Sequence, residues 1–272
     1  MIIDIHTHIF PEKIAAATVS TLAENSNIPP HSDGTLSGLL SALSEAGADI
    51  AVNQPVLTKP TQFESVMRFA KEINGREYEG PRVISFMGMH PDIEDVEGCM
   101  KRIYEEGFVG IKLHPDYQNT FIDDERYVRI FSEAKRYGLA VLTHSGLDGA
   151  YIGQPIKCTP RRVLKLLDRI GGYEKIILAH LGANELYEES YLELCGRDVY
   201  FDTAYSLKSA GDMFLKILSK HGDEKILFGS DSPWQNIGRE VEIIKGYRLG
   251  RACEERIFSA NARKILGLSK EA

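Results

Sequence analysis

The chain has 272 residues, 43% apolar and 26% charged, with a formal net charge of −7. That balance fits a soluble globule with a sizeable core, and the lack of any basic run argues against nucleic acid as a partner. No stretch approaches the roughly 18 consecutive apolar residues of a spanning helix, so no membrane partner is expected.

The opening MIIDIHTH reads as a strand, not a signal peptide. Cys99, Cys158, Cys195 and Cys253 lie far apart and form no CxxC pair, so reduced thiols in a cytoplasmic protein are expected. Apolar, β-branched runs recur at 2–8 (IIDIHTH), 50–57 (IAVNQPVL), 83–90 (VISFMGMH), 108–114 (FVGIKLH), 139–144 (LAVLTH), 176–181 (IILAHL), 199–205 (VYFDTAY) and 226–231 (ILFGSD). Between them the apolar spacing is helical, as in Leu36, Leu39, Leu40 and Leu43, or Phe63, Val66, Phe69, Ala70 and Ile73. The same holds for Tyr127 to Ala134, Val163 to Ile170, Met213 to Leu218, and Ile257 to Leu266. Gly47, Gly107, Gly138, Gly171 and Gly222 stand where left-handed helix caps are expected.

Alternating strands and helices imply right-handed crossovers and a parallel sheet. Eight such units predict one (β/α)8 TIM barrel spanning 1–272 as a single α/β domain. Residues 9–33, with Pro11, Pro29 and Pro30, read as a long loop of the kind that forms lids. A shorter insertion, 145–158, follows the fifth strand.

Strand alternation places chemistry at one rim. In the first strand, Ile3 and Ile5 are expected on one face and Asp4, His6 and His8 on the other. In the fourth, Val109, Ile111 and Leu113 should face the helices, leaving Gly110, Lys112 and His114 inside. His144 shares a face with Ala140 and Leu142, and Asp231 with Leu227 and Gly229. Each polar residue is the last inward one at the C-terminal end of its strand, where barrel enzymes keep their sites.

A ring of imidazoles with a carboxylate suits a divalent metal such as zinc. Asp231 in an apolar strand needs a partner, which a metal or a proton-shuttling role supplies. His180 is a ligand or a catalytic group. Lys112 could bind a substrate carboxylate, pair with Asp231, or bridge two metals if carboxylated. His114 and His90 are further candidates at the substrate rim, whereas His31 and His221 read as surface residues. Arg161 and Arg162 could add positive charge there, but read better as the solvated start of a helix.

The motifs DIHTHIFP, GIKLHP, THSG, LAHLGA, YFDTAY, LFGSDSPW and NARKILGL run along nearly the whole chain. Together they resemble the amidohydrolase superfamily, and within it the compact branch related to aminocarboxymuconate-semialdehyde decarboxylase. The resemblance implies metal ligands at His6, His8, His144 and Asp231, with His180 activating or orienting the water. TatD-type nucleases share the HxH but carry a glutamate on the fourth strand, where this chain has Lys112 and His114, so a nuclease is disfavoured. Decarboxylases of the branch often replace the first histidine of HxH with glutamate; His6 leaves both hydrolysis and decarboxylation open.

The expected activity is hydrolysis of a C–N or C–O bond in a small carboxylate-bearing metabolite. One zinc ion would activate water, Asp231 would act as base and then acid, and His180 would donate to the developing oxyanion. Lys112, His114 and His90 would bind an anionic substrate. The alternative is a metal-dependent, non-oxidative decarboxylase. Oligomeric state is left open.

Overall fold

The structure, a computed structural model, describes residues 1–269. Its parallel strands are β1 (Ile3–Thr7), β2 (Ile50–Asn53), β3 (Arg82–Ser85), β4 (Met87–Gly88), β5 (Gly110–Leu113), β6 (Ala140–Thr143), β7 (Ile176–Leu178), β8 (Tyr200–Asp202) and β9 (Ile226–Leu227). The third predicted run is split between β3 and β4, and the chain is ordered β1-β2-β3 and β4 through β9. Two links close the ring. Phe86 N–H donates to Asn53 O at 3.0 Å, and Ile5 N–H donates to Phe228 O at 2.9 Å. The result is the expected eight-position α/β barrel.

Helices α1 (Glu12–Ser26), α2 (Leu36–Ala46), α3 (Phe63–Asn74), α4 (Val96–Glu105), α5 (Glu125–Tyr137) and α6 (Pro160–Ile170) cover the first half. After them come α7 (Tyr187–Glu189), α8 (Leu207–Ala210), α9 (Asp212–His221), α10 (Ile237–Gly246), α11 (Arg251–Glu255) and α12 (Asn261–Leu266). Gly47, Gly138 and Gly171 end α2, α5 and α6 at φ between 64° and 68°, the left-handed geometry their sequence position implies.

The core has two layers. One lies between the strands and the helices and holds Met67, Tyr127, Ile130, Phe131 and Phe201. The other fills the barrel, with Ile3, Val52, Phe86, Leu142, Ile177 and Leu227. Gly110 is required there, because a Cβ on it would meet the Phe86 ring at 2.5 Å. Val109 packs with this inner layer, not with the helices as expected, because the strand begins only at Gly110.

Strict alternation fails in β1. Asp4 lies opposite Ala51 and Thr7 opposite Asn53, so β1 carries one extra residue. This is a β-bulge. Ile3 and Ile5 join the inner core with Ile50 and Val52, while Asp4 pairs with Ala51 of the helix-side core. The Asp4 carboxylate takes the backbone N–H groups of His6 (3.1 Å) and Ser230 (3.0 Å), stabilising the bulge. Beyond it, His6 re-enters the barrel.

Two further expectations are corrected. Residues 9–33 are not a structureless loop, since Glu12–Ser26 form α1. His221 is buried, not a surface residue: it stacks on Phe201 with centroids 4.0 Å apart.

Candidate functional site

Four strand ends deliver the site. His6 comes from β1 and His8 from just past it, Lys112 from β5, and His144 and His180 from just past β6 and β7. Asp231, five residues after the start of β9, completes it. The backbone there is unusual: His180 (φ 60°), Leu181 (φ 55°), Tyr205 (φ 55°) and Asp231 (φ 68°) all occupy the left-handed region. Such residues cost of order 1 kcal/mol or more each and concentrate at functional sites. Asp231 N–H donates to His6 O at 2.8 Å, which locks the two rims together.

Each imidazole of β1 is held by its Nδ1. His6 Nδ1 lies 2.8 Å from Asp202 Oδ2, and His8 Nδ1 lies 2.9 Å from the Gln54 carbonyl. A nitrogen facing an acceptor carries the proton, so in each neutral ring Nδ1 is the protonated atom and Nε2 is the one left for a metal. Both point at one oxygen: Asp231 Oδ1 is 3.5 Å from His6 Nε2 and 3.2 Å from His8 Nε2. Three potential ligand atoms, His6 Nε2, His8 Nε2 and an Asp231 oxygen, thus converge on one point. The residues fit a divalent metal.

Charge states agree. Burial, with Lys112 assisting, lowers the His6 pKa to about 3, so the ring is neutral. Burial alone would raise Asp231, but the His6 and His8 rings outweigh it and hold its carboxylate ionised. Burial lowers Lys112 to about 8 against the pull of Asp231, Asp202 and Asp148. Its Nζ lies 3.0 Å from His6 Nε2.

His144 is turned differently. Its Nδ1 lies 3.0 Å from His180 Nε2, and its ring stacks on His114 with centroids 4.3 Å apart. Asp148 Oδ2 lies 3.3 Å from His114 Nε2, making a second cluster of His114, His144 and Asp148. His144 Nε2 and Asp116 Oδ2 are both buried without a hydrogen-bond partner, 4.0 Å apart. His180 Nδ1 faces the Ala204 carbonyl at 2.8 Å, so in the neutral ring Nε2 accepts.

A cavity of about 420 Å³ opens above these groups. His6, His8, Lys112, His114, His144, His180 and Asp231 all line it. His90 does not. Its Nδ1 accepts from Asp92 N–H at 3.1 Å, away from the cavity. Arg161 and Arg162 are also engaged elsewhere, with Glu193 at 3.0 Å and Asp123 at 2.6 Å.

Sequence reasoning missed Asp202, Asp148, Gln54 and Tyr117. Asp202 was findable, because it is the last inward residue of its strand, two after Tyr200. Tyr117 stacks on His114 at 3.9 Å, and Asp148 comes from the 145–158 insertion; neither has a periodic signal.

The amidohydrolase family model matches residues 3–268, and the chain belongs to that family of metal-dependent enzymes. No curated protein matches the chain. Solved structures do. A 2,6-dihydroxybenzoate decarboxylase complexed with 2,6-dihydroxybenzoate superposes with TM-score 0.73 at 16% identity, covering 98% of this chain and 99% of that one. A dihydroxybenzoic acid decarboxylase from Polaromonas sp. JS666, with bound manganese and the inhibitor 2-nitroresorcinol, gives 0.72 at 16% identity, covering 98% and 96%. A Pseudomonas putida protein assigned as a 2-pyrone-4,6-dicarboxylic acid hydrolase gives 0.66 at 17% identity, covering 98% and 97%.

Proposed function

We propose that this enzyme hydrolyses an amide, imide or lactone bond in a small carboxylate-bearing metabolite. The observation that carries the reading is Asp231, an ionised carboxylate held against the rings of His6 and His8 at the floor of the cavity. His6, His8 and Asp231 would hold one divalent ion; His144, whose Nδ1 faces His180 and which clusters with His114 and Asp148, would have to turn its ring to join them. Zinc is our choice, since imidazole and carboxylate donors suit it; manganese, bound by a structural relative, is the competing ion.

When bound, the ion supplies Lewis acidity that brings the pKa of water towards about 7. The chain supplies the rest. Asp231 takes a proton from the attacking water as its oxygen bonds to the acyl carbon. The same carboxyl returns that proton to the departing nitrogen or oxygen. Such a positioned base is worth about 10²–10⁴ in rate. His180 Nε2, an acceptor in the neutral ring, orients the water; donation to an oxyanion requires it first to gain a proton. Lys112, with His114 and Tyr117 beside it, takes the substrate carboxylate. Four free thiols fit a reducing cytoplasm.

Decarboxylation by the same groups is the second reading, favoured by the decarboxylases among the structural relatives. Turnover in isotopically labelled water separates the two. Incorporation of one solvent oxygen into an acid product supports hydrolysis. Release of carbon dioxide without uptake of water establishes the second reading instead.

A further inference from the structure

The cavity is divided by charge. Its charged and imidazole side chains, His6, His8, Lys112, His114, Asp148 and Asp231 among them, belong to the barrel floor and the loop after β6. The walls from α1 and α3 contribute none.

From α1 the lining residues are Ile14, Thr18, Leu22 and Ser26, spaced by four, so they form one face of the helix. At about 1.5 Å per residue that stripe runs roughly 18 Å. From α3, Val66 and Phe69 line the same space. The core does not need the α1 stripe, because Ala15 and Val19 already bury the helix's other face. Ile14 nevertheless stays 50% exposed. A wall without charged groups, carrying Ile14, Leu22, Val66 and Phe69 beside the hydroxyls of Thr18, Ser26 and Ser65, joined to an ionic floor, defines a site for a molecule with two ends.

We propose that the substrates are amphiphilic carboxylates, with the anionic head at the His6, Lys112 and Asp231 floor and an apolar tail between α1 and α3. This deepens the proposed function and rests on its assignment of the floor as the carboxylate site. Burial of each tail methylene should tighten binding by up to about fourfold.

The test is calorimetric titration of the zinc-loaded protein with acetate, butyrate, hexanoate, octanoate and decanoate. The expected result is affinity rising at every step, with Leu22→Asn and Ile14→Asn each flattening the series while acetate binding is unchanged. Binding independent of chain length, or unaltered series in both variants, overturns the tail channel and leaves the carboxylate floor standing. Failure of every acid to bind, acetate included, overturns the floor assignment and the channel with it. Light scattering that finds a dimer made monomeric by Ile14→Asn overturns the proposal too, since the stripe then seats a second copy of the chain.

Discussion

Asp202 holds His6 from behind: its Oδ2 lies 2.8 Å from His6 Nδ1, which aims Nε2 at Asp231. The other oxygen accepts the backbone N–H of His180 at 2.8 Å. One buried carboxylate therefore sets the ring on β1 and the backbone that follows β7. Burial would raise its pKa, but His6 and the His180 backbone more than offset this, so it stays ionised.

Carboxylates behind metal-binding histidines typically contribute 10- to 100-fold in affinity. Asp202→Ala should weaken zinc binding by that factor, and leaving His180 N–H unpaired should cost about 1–3 kcal/mol of stability. Competition titration against a chelating dye measures the first and urea unfolding the second. Undiminished zinc affinity in the folded variant would falsify the orienting role.

His6→Ala and Asp231→Ala each remove one of three converging donors. Both should lose the ion, with far-ultraviolet dichroism unchanged. Elemental analysis of the wild type should find one ion per chain, because a second ion would need a bridging group and only a carboxylated Lys112 could supply one. Stoichiometric metal in both variants would sink the site. Two ions about 3.5–4 Å apart, the usual two-metal spacing, with a modified Lys112 would refute the count.

The barrel was legible because its strands and helices each keep one period. His6, His8, Lys112, His144, His180 and Asp231 were legible because each ends an apolar run. What alternation could not show was the β1 bulge. Asp4 stabilises it through the backbone of His6 and of Ser230, a residue beside β1 at the ring closure but at the other end of the sequence, which no local pattern reveals. The helix α1 escaped for a related reason. Ala15 and Val19 face the core while Ile14 and Leu22 face the cavity, so its apolar residues form two faces and no single stripe stands out. His90 has the sequence setting of a rim residue, yet its contact with Asp92 N–H is local.

Lys112 supplies the fixed cationic side chain of the cavity floor, and burial makes its charge unusually exposed to whatever occupies that floor. Lys112→Met should weaken acetate and succinate by roughly tenfold or more, as expected for a lost charge-assisted hydrogen bond, and acetamide much less. Equal weakening of charged and neutral ligands would show that Lys112 acts by packing alone.

His221 should make stability depend on acid in a way unrelated to the metal centre. Its Nδ1 accepts Gly196 N–H at 3.1 Å, and its Nε2 donates to Val199 O at 3.0 Å. A proton on Nδ1 would face the Gly196 N–H, and the ring is buried against Phe201. Burial accordingly lowers its pKa from 6.5 to about 4, against the pull of the Val199 carbonyl. The unfolded chain takes up the proton at the ordinary value, so acid favours unfolding. The contribution is complete above pH 6.5 and is lost as pH falls through about 4. The shift corresponds to about 3 kcal/mol. His221→Gln keeps a donor and an acceptor but cannot titrate. Urea unfolding from neutral to mildly acidic pH should therefore give this variant a shallower loss of stability than the wild type. Parallel curves would mean that the His221 ring is protonated in the folded protein at no cost, contrary to the contacts that surround it.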